Sequence, residues 1–326
     1  MSFKGKIMNK ILNSSGSYRY YKTQFEQLNK KVDRLENAAN TTNRLFNTLY
    51  LDYDLNAGLL LQQNRELSLE FLKFIDKVCE KHEIEWIIEY GTYLGAIRHN
   101  GFIPWDDDLD CGMMRSNYNN FIEILPMELE RNGIKDTVKI NFRQRDNFVK
   151  GATSFLQLFY QHESPYWVDL TSLDIFPYDY MKEYNGEDIG KLYEEVRVKF
   201  YHDVVEIDEF STVLERYYEN LNLTYEKTPY ILPGVEGPAG PNRVIKLNVF
   251  ETKELYPPKR VLFEGISLPG PRNHDYYLTK LYKNYLSFPK VLTFHNRLGR
   301  LRKYPNINEV LDEHINKLKQ INKNFE

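Results

Sequence analysis

Apolar positions along the chain change their period more than once, and each change marks a different kind of element. Tyr21, Phe25, Leu28, Val32, Leu35, Ala39, Thr42, Phe46, Leu49 and Tyr53 follow one another in steps of four and three without a skip. That is the a/d seam of a coiled coil, with charged or amide residues at most other positions. Two arrangements satisfy it: self-association, most simply a parallel dimer through residues 21–53, or one long helix laid on its own globular domain. From Gly58 the pattern broadens. Leu60, Leu61, Leu67, Phe71, Leu72, Phe74, Ile75, Val78 and Cys79 form the wide apolar stripe of a helix that packs on a core. The short run at residues 85–90 is rich in strand formers, and further strands are expected near 138–142, 154–160 and 167–176. Helices are expected at 194–218, 275–285 and 308–323, and the Pro/Gly-rich stretch 232–241 reads as a loop. The result is a mixed α+β domain behind an oligomerising helix: residues 1–20 a basic amphipathic tail, 21–57 the coiled-coil helix, 58–326 the globular domain.

Charge and cysteine content narrow this picture. The net charge of -3 argues against a nucleic-acid binder with a broad basic face, so no nucleic-acid partner is expected. Locally the balance differs, because Lys4, Lys6, Lys10, Arg19 and Lys22 have no acidic residue among them. With Phe3, Ile7, Met8, Ile11 and Leu12 at helical spacing, the first residues read either as a helix resting on an anionic membrane surface or as a frayed tail. Ser14 to Ser17 is expected to end that segment. Two cysteines, Cys79 and Cys111, make no disulfide framework, and no apolar run is long enough to span a bilayer. A cytoplasmic protein is expected, with peripheral contact at the inner face of the plasma membrane if the tail binds lipid.

The chemistry concentrates between Tyr90 and Arg115, YGTYLGAIRHNGFIPWDDDLDCGMMR. Gly91-Thr92 stands where a strand passes into a helix, and unpaired amides at a helix start attract anions. Asp106, Asp107, Asp108 and Asp110 place four carboxylates in five residues, interleaved with Leu109 and Cys111. On a strand, Asp108 and Asp110 would share one face with Asp106 just before them. Carboxylates so close repel unless a cation neutralises them, and hard oxygen donors favour Mg²⁺ or Mn²⁺ over zinc. A further carboxylate from another strand is needed. The stretch 168–177 offers two, Asp169 and Asp174. Asp174 is favoured because it is embedded in Leu173, Ile175 and Phe176, where an unpaired carboxylate is costly. It serves either as a structural hydrogen bonder or as the partner of the acidic strand. Trp105 either stacks on a base or quaternary ammonium group or belongs to the core. His99 and His295 read as structural. Arg297, Arg300, Arg302 and Lys303 form either a lipid-pyrophosphate contact or a solvated basic face.

From about Arg65 onward the chain resembles the LicD family, which includes the fukutin-related proteins of the nucleotidyltransferase-fold superfamily. The resemblance rests on RELSLEFLKFIDKVCEKHEIEW, EYGTYLGAIRHNGFIPWDDDLDCGMMR, LDIFPYD and YPPKRVLFEGISLPGPRNHDYYLTKLYKNYLSFP. Where the family commonly has Tyr-Gly-Asp, this chain has Tyr282-Lys283-Asn284. The resemblance implies a nucleotidyltransferase-like mixed sheet flanked by helices. It also implies that Gly91 and Thr92 cradle donor phosphate, that Asp108 and Asp110 hold metal with Asp106 joining them, and that Asp174 completes the set and accepts the attacking hydroxyl's proton. Arg98 is then expected to neutralise the transferred phosphoryl group. The implied reaction moves a phospho-alcohol, phosphocholine first, from a CDP-activated donor to a hydroxyl of a surface glycan or its lipid-linked precursor. The alternatives are a nucleotidyltransferase acting on a sugar or alcohol phosphate, and a non-catalytic glycan-assembly scaffold.

Overall fold

A computed structural model describes residues 16–52, 58–141, 155–163, 167–193, 195–196, 210–236, 248–287 and 297–325. The basic segment 1–15 and His295 lie outside these residues. The chain divides into two units: one holds the first helix, the other (residues 56–285 with 293–326) holds the sheet and every later element. Among the described residues no helix is long and apolar enough to cross a membrane.

The first helix, α1, is described over Gly16–Asp52, so Gly16 and Ser17 of the expected break are helical, Ser14 and Ser15 lie outside the described residues, and the expected boundary after residue 20 falls inside the helix. In the second unit, α2 (Leu59–Lys81) buries the face that its sequence stripe marks: Leu67, Phe71, Leu72, Phe74, Ile75 and Val78 are all fully buried. Burial of side chains of this size stabilises by roughly 1.5–3 kcal/mol each. Two polar residues of α2 tie it to the sheet. Asn64 donates to the Leu170 carbonyl at 2.6 Å, and the hydroxyls of Ser68 and Thr171 meet at 2.5 Å. The C-terminal helix α9 (Ile307–Asn324) lies along α2, where Asn322 donates to the Glu70 carbonyl and Gln63 to Asp312.

The sheet is mixed and has the order β1-β2-β5-β4-β3, with short strands extending it along β5. These are β1 (Trp86–Ile88), β2 (Asp110–Met114), β3 (Val138–Asn141), β4 (Leu156–Glu163) and β5 (Trp167–Met181). Beyond them, β6 (Leu223–Thr224) and β7 (Tyr230–Pro233) pair with the end of β5, and β8 (Phe250–Glu251) pairs with β7. Only β2 and β5 are parallel, with Asp110 opposite Asp174. A separate hairpin joins β9 (Lys259–Phe263) to β10 (Ile266–Gly270). The central strand β5 is longer than the sequence pattern suggests and contains Pro177, normally unwelcome inside a sheet. The pairing explains it. Asp174 N–H donates toward β2, so by alternation Pro177 faces the other side, where β4 has ended at Ile175 and β7 begins at Tyr178. No ladder bond is lost there.

Helices α3 (Tyr90–His99), α4 (Arg115–Arg131), α5 (Phe210–Asn220), α6 (Thr252–Leu255), α7 (His274–Tyr282) and α8 (Arg297–Leu301) complete the unit. Of the helix expected over 194–218, residues 197–209 lie outside the description and the described helix begins at Phe210. The expected 232–241 loop is strand as far as Pro233. A buried ion cluster joins three elements: Arg115, opening α4, donates to Asp179 of β5 at 2.7 and 2.8 Å and to both carboxylate oxygens of Glu236. Tyr218 of α5 also donates to Asp179. Gly234 makes room for this cluster, since a Cβ there would sit 2.7 Å from the Arg115 guanidinium.

Candidate active site

The site forms where β1 and β2 feed into α3. Strand β1 is shorter than expected: Tyr90 already belongs to α3, with a left-handed φ of 43°. Glu89 caps the helix from an extended conformation, and the first intrahelical bond runs from Tyr93 N to Glu89 O at 3.1 Å. The amides of Gly91 and Thr92 therefore precede the i→i−4 ladder, as helix-start amides do. The Thr92 hydroxyl, buried, accepts the Asp110 amide at 2.8 Å and so fixes the first residue of β2 to α3. Gly91 does something the sequence reading did not foresee. A Cβ on it would lie 2.9 Å from Asp106 Oδ2, so its missing side chain admits a carboxylate of the acidic run.

That run is a loop, not a strand, until Asp110. Pro104 and the turn closed by Asp106 N on Ile103 O (2.8 Å) prevent regular pairing, and the Asp106 side chain accepts the Asp107 amide at 3.1 Å. The expected shared strand face of Asp108 and Asp110 is therefore replaced by a curled loop. Carboxylate oxygens of Asp106, Asp107 and Asp108 lie within 4.8 Å of one another, with Asp107 the buried member. Sequence reasoning had not placed Asp107 in the metal set, because strand alternation would have turned it away. The loop delivers Asp110 to β2, opposite Asp174 of β5. Burial first, then the charges of Asp174, Asp108, Asp106 and Glu89, hold the Asp110 carboxyl well above its ordinary range. Asp174 accepts from Gln157 Nε2 of β4 at 3.0 Å.

Two arginines hold the loop. Arg65 of α2 donates to the carbonyls of Ile103 (2.6 Å) and Asp106 (3.1 Å) and lies over the Phe102 ring. Arg297 of α8 donates to Asp107 O, to Asp108 Oδ1 at 3.0 Å and to Ser172 Oγ. Arg297 is buried, so it leaves the basic cluster to which its sequence neighbours assigned it; Arg300, Arg302 and Lys303 remain exposed. No local signal in the sequence could have paired it with an acidic run 189 positions away. Arg297→Ala is expected to lower transfer about 100-fold and to cost roughly 1–3 kcal/mol, because buried acceptors lose their donor. Steady-state rates together with urea unfolding check this, and full activity in the variant would show that loop placement does not depend on Arg297.

The remaining expected residues divide. Trp105 is half-buried in the turn before the acidic loop. Arg98, in the last turn of α3, donates to the Tyr285 carbonyl at 2.8 Å. Its charge acts on His99 and Tyr282, whereas the charges acting on Asp110 are all carboxylates. His99 is pushed down to about 4, by burial and then by Arg98 and Arg65, so it is neutral near pH 7. Beneath the site, Glu89 is fully buried and accepts from the hydroxyls of Tyr178 and Tyr277; burial pushes it up to about 8 despite those bonds. Lys283, where the resembled family has glycine, carries a φ of 64°, a conformation glycine adopts without strain.

The start of α3 thus lies beside a carboxylate-bearing loop in a mixed sheet, with Gly91 next to Asp106 and Asp110 opposite Asp174. Residues 83–208 match the LicD/FKTN/FKRP nucleotidyltransferase domain family. It is similar to the lipopolysaccharide cholinephosphotransferase LicD of Haemophilus influenzae, 41% identical over 66 residues, which are 20% of this chain and 25% of that protein. Uncharacterised proteins of Rickettsia typhi (43% over 67 residues, 20% of this chain and 22% of the relative) and Rickettsia prowazekii (44% over 63 residues, 19% and 24%) are similar as well. The alignments span about a quarter of the length of these relatives.

Proposed function

We propose that this protein transfers a phospho-alcohol, phosphocholine as the first candidate, from a CDP-activated donor to a hydroxyl of a surface glycan or its lipid-linked precursor. The observation that supports this most is the carboxylate cluster of Asp106, Asp107 and Asp108 in the loop that leads to Asp110, which stands opposite Asp174 in the β2/β5 pair. It lies inside the part of the chain that matches the LicD domain. The relative named a cholinephosphotransferase directs the choice of donor.

The residues fit a divalent cation. The donor set is all hard carboxylate oxygen, and the mutual repulsion at Asp110 is what such an ion relieves. Asp106, Asp108, Asp110 and Asp174, with Asp107 added by the loop geometry, would hold Mg²⁺ or Mn²⁺. When bound, the metal offsets charge on the donor phosphates and on the leaving nucleoside monophosphate. The chain's own groups do the rest. The amides of Gly91 and Thr92 at the start of α3 bind donor phosphate. Asp174 takes the proton of the acceptor hydroxyl as its oxygen forms the new P–O bond and the bond to the nucleoside monophosphate breaks. Arg65 and Arg297 keep the acidic loop in place for this. Arg98 sits one helix away from the cluster, and a role on the phosphoryl group requires the donor to reach it.

The test is a product assay with the purified protein, Mg²⁺ or Mn²⁺, a glycan acceptor and a panel of CDP-alcohols. Metal-dependent release of CMP with one donor, and the matching mass added to the acceptor, is expected. An acceptor that instead keeps the nucleotide would assign a nucleotidyltransferase. Failure of Mn²⁺ to bind in calorimetry would leave the scaffold reading.

A further inference from the structure

The geometry points to a parallel, two-stranded coiled coil between two copies of this chain, made by α1. This goes beyond the reaction proposed above and stands or falls separately from it. On the single chain the seam residues of α1 are uncovered: Tyr21 is 70% exposed, Phe25 63%, Leu28 56%, Val32 43% and Leu35 70%. An apolar stripe of this regularity does not stay in water when a matching surface exists. The helix is 37 residues long, about 56 Å at 1.5 Å per residue.

Three features commit the surface to a second copy. Phe25, Val32 and Ala39 occupy a positions and Leu28, Leu35 and Thr42 occupy d, and at the centre of the seam Val32 at a between Leu28 and Leu35 at d is the combination that favours two strands. Thr42, the one polar d residue of the described seam, turns its hydroxyl back to the Ala38 carbonyl at 3.0 Å. Its hydrogen-bonding need is met within its own helix, so the seam does not bury an unsatisfied hydroxyl. The flanking charges then set direction. In this register Lys31 is a g residue and Glu36 the e residue of the next heptad. In a parallel dimer each Lys31 meets the partner copy's Glu36, twice by symmetry. Among the described residues neither has an ion-pair partner within its own chain. Antiparallel strands would set g against g and e against e, and that complementarity would be lost. Parallel strands also make both chains leave the coil at the same end, beyond Asp52.

Light scattering on the full-length protein is expected to give twice the chain mass, and Leu28→Asp combined with Leu35→Asp to give the single mass with the transfer site's metal affinity unchanged. Oxidised Phe25→Cys is expected to migrate as a covalent dimer, because parallel strands put the two a positions side by side. Glu36→Lys is expected to weaken self-association and to recover it when mixed with Lys31→Glu. A monomeric or trimeric wild type overturns the proposal. So does a dimer that survives the double aspartate change, or a Phe25→Cys dimer that does not cross-link.

Discussion

Asp110→Asn is expected to reduce transfer by about 10³-fold or more while making the metal-free protein more stable. Both effects come from one position. Asp110 stands at the head of β2, its amide held by Thr92 and its carboxyl pressed by Asp174, Asp108 and Asp106. Removing its charge takes a ligand from the proposed metal site and a repulsion from the empty one. The pH dependence follows with a definite sign. Asp110 has a folded-state pKa above its unfolded value, so its contribution to stability is fully present below the unfolded pKa and is lost as pH rises through the folded one. Glu89, pushed up to about 8, adds to the same fall. The metal-free wild type should therefore lose stability from about pH 4 toward about pH 8, and the Asn variant should lose less. Thermal melts in chelator across that range, beside the CMP-release assay, measure both halves. An Asn variant that retains activity removes Asp110 from the reaction, and one that melts lower than wild type at neutral pH shows the repulsion is not felt.

Arg115→Met should be the most destabilising single change in the second unit, costing about 3–5 kcal/mol. The guanidinium is buried and holds two carboxylates, Asp179 and Glu236, that are themselves fully buried. Methionine fills similar volume but leaves both charges without a counterion. The cluster joins the start of α4, the far half of β5 and the segment after β7, so its loss loosens β5 beyond the point where it carries Asp174. Urea unfolding measures the loss. A control separates charge from packing: adding Asp179→Asn and Glu236→Gln to Arg115→Met should recover much of the stability, since the orphaned charges are gone. A change below about 1 kcal/mol for Arg115→Met alone would mean water reaches the cluster.

The structure and the sequence agree best where one short stretch carries the whole signal. The acidic run, the Gly-Thr pair before a helix and Asp174 on a later strand are all local patterns, and the structure draws Asp106, Asp108, Asp110, Asp174 and Gly91 together. The apolar stripe of α2 and the period of α9 were equally readable, because a helix buries one face whatever it packs against. Disagreement follows a physical rule. Asp108 and Asp110 were expected to share a strand face with Asp106 just before them, but Pro104 and side-chain bonding to the backbone favour a loop up to Asp110, and that loop brings in Asp107. Arg98 was expected to neutralise the transferred phosphoryl group because its fork suits phosphate, and it lies in the last turn of α3, at the other end of that helix from Gly91 and Thr92.

By itself the sequence indicated the acidic run, the mixed α+β make-up and the heptad spacing, since each is written in residue types at short, fixed spacings. Only the tertiary structure decided which cations serve the acidic loop. Arg65 arrives from a helix before it and Arg297 from a helix 189 positions after Asp108, while basic neighbours of Arg297 stay in solvent. It also decided that a Cβ at Gly91 would press on the Asp106 carboxylate, and why Pro177 can sit inside the central strand. These depend on where one element ends beside another, and close approach between distant segments leaves no periodicity for the chain to display.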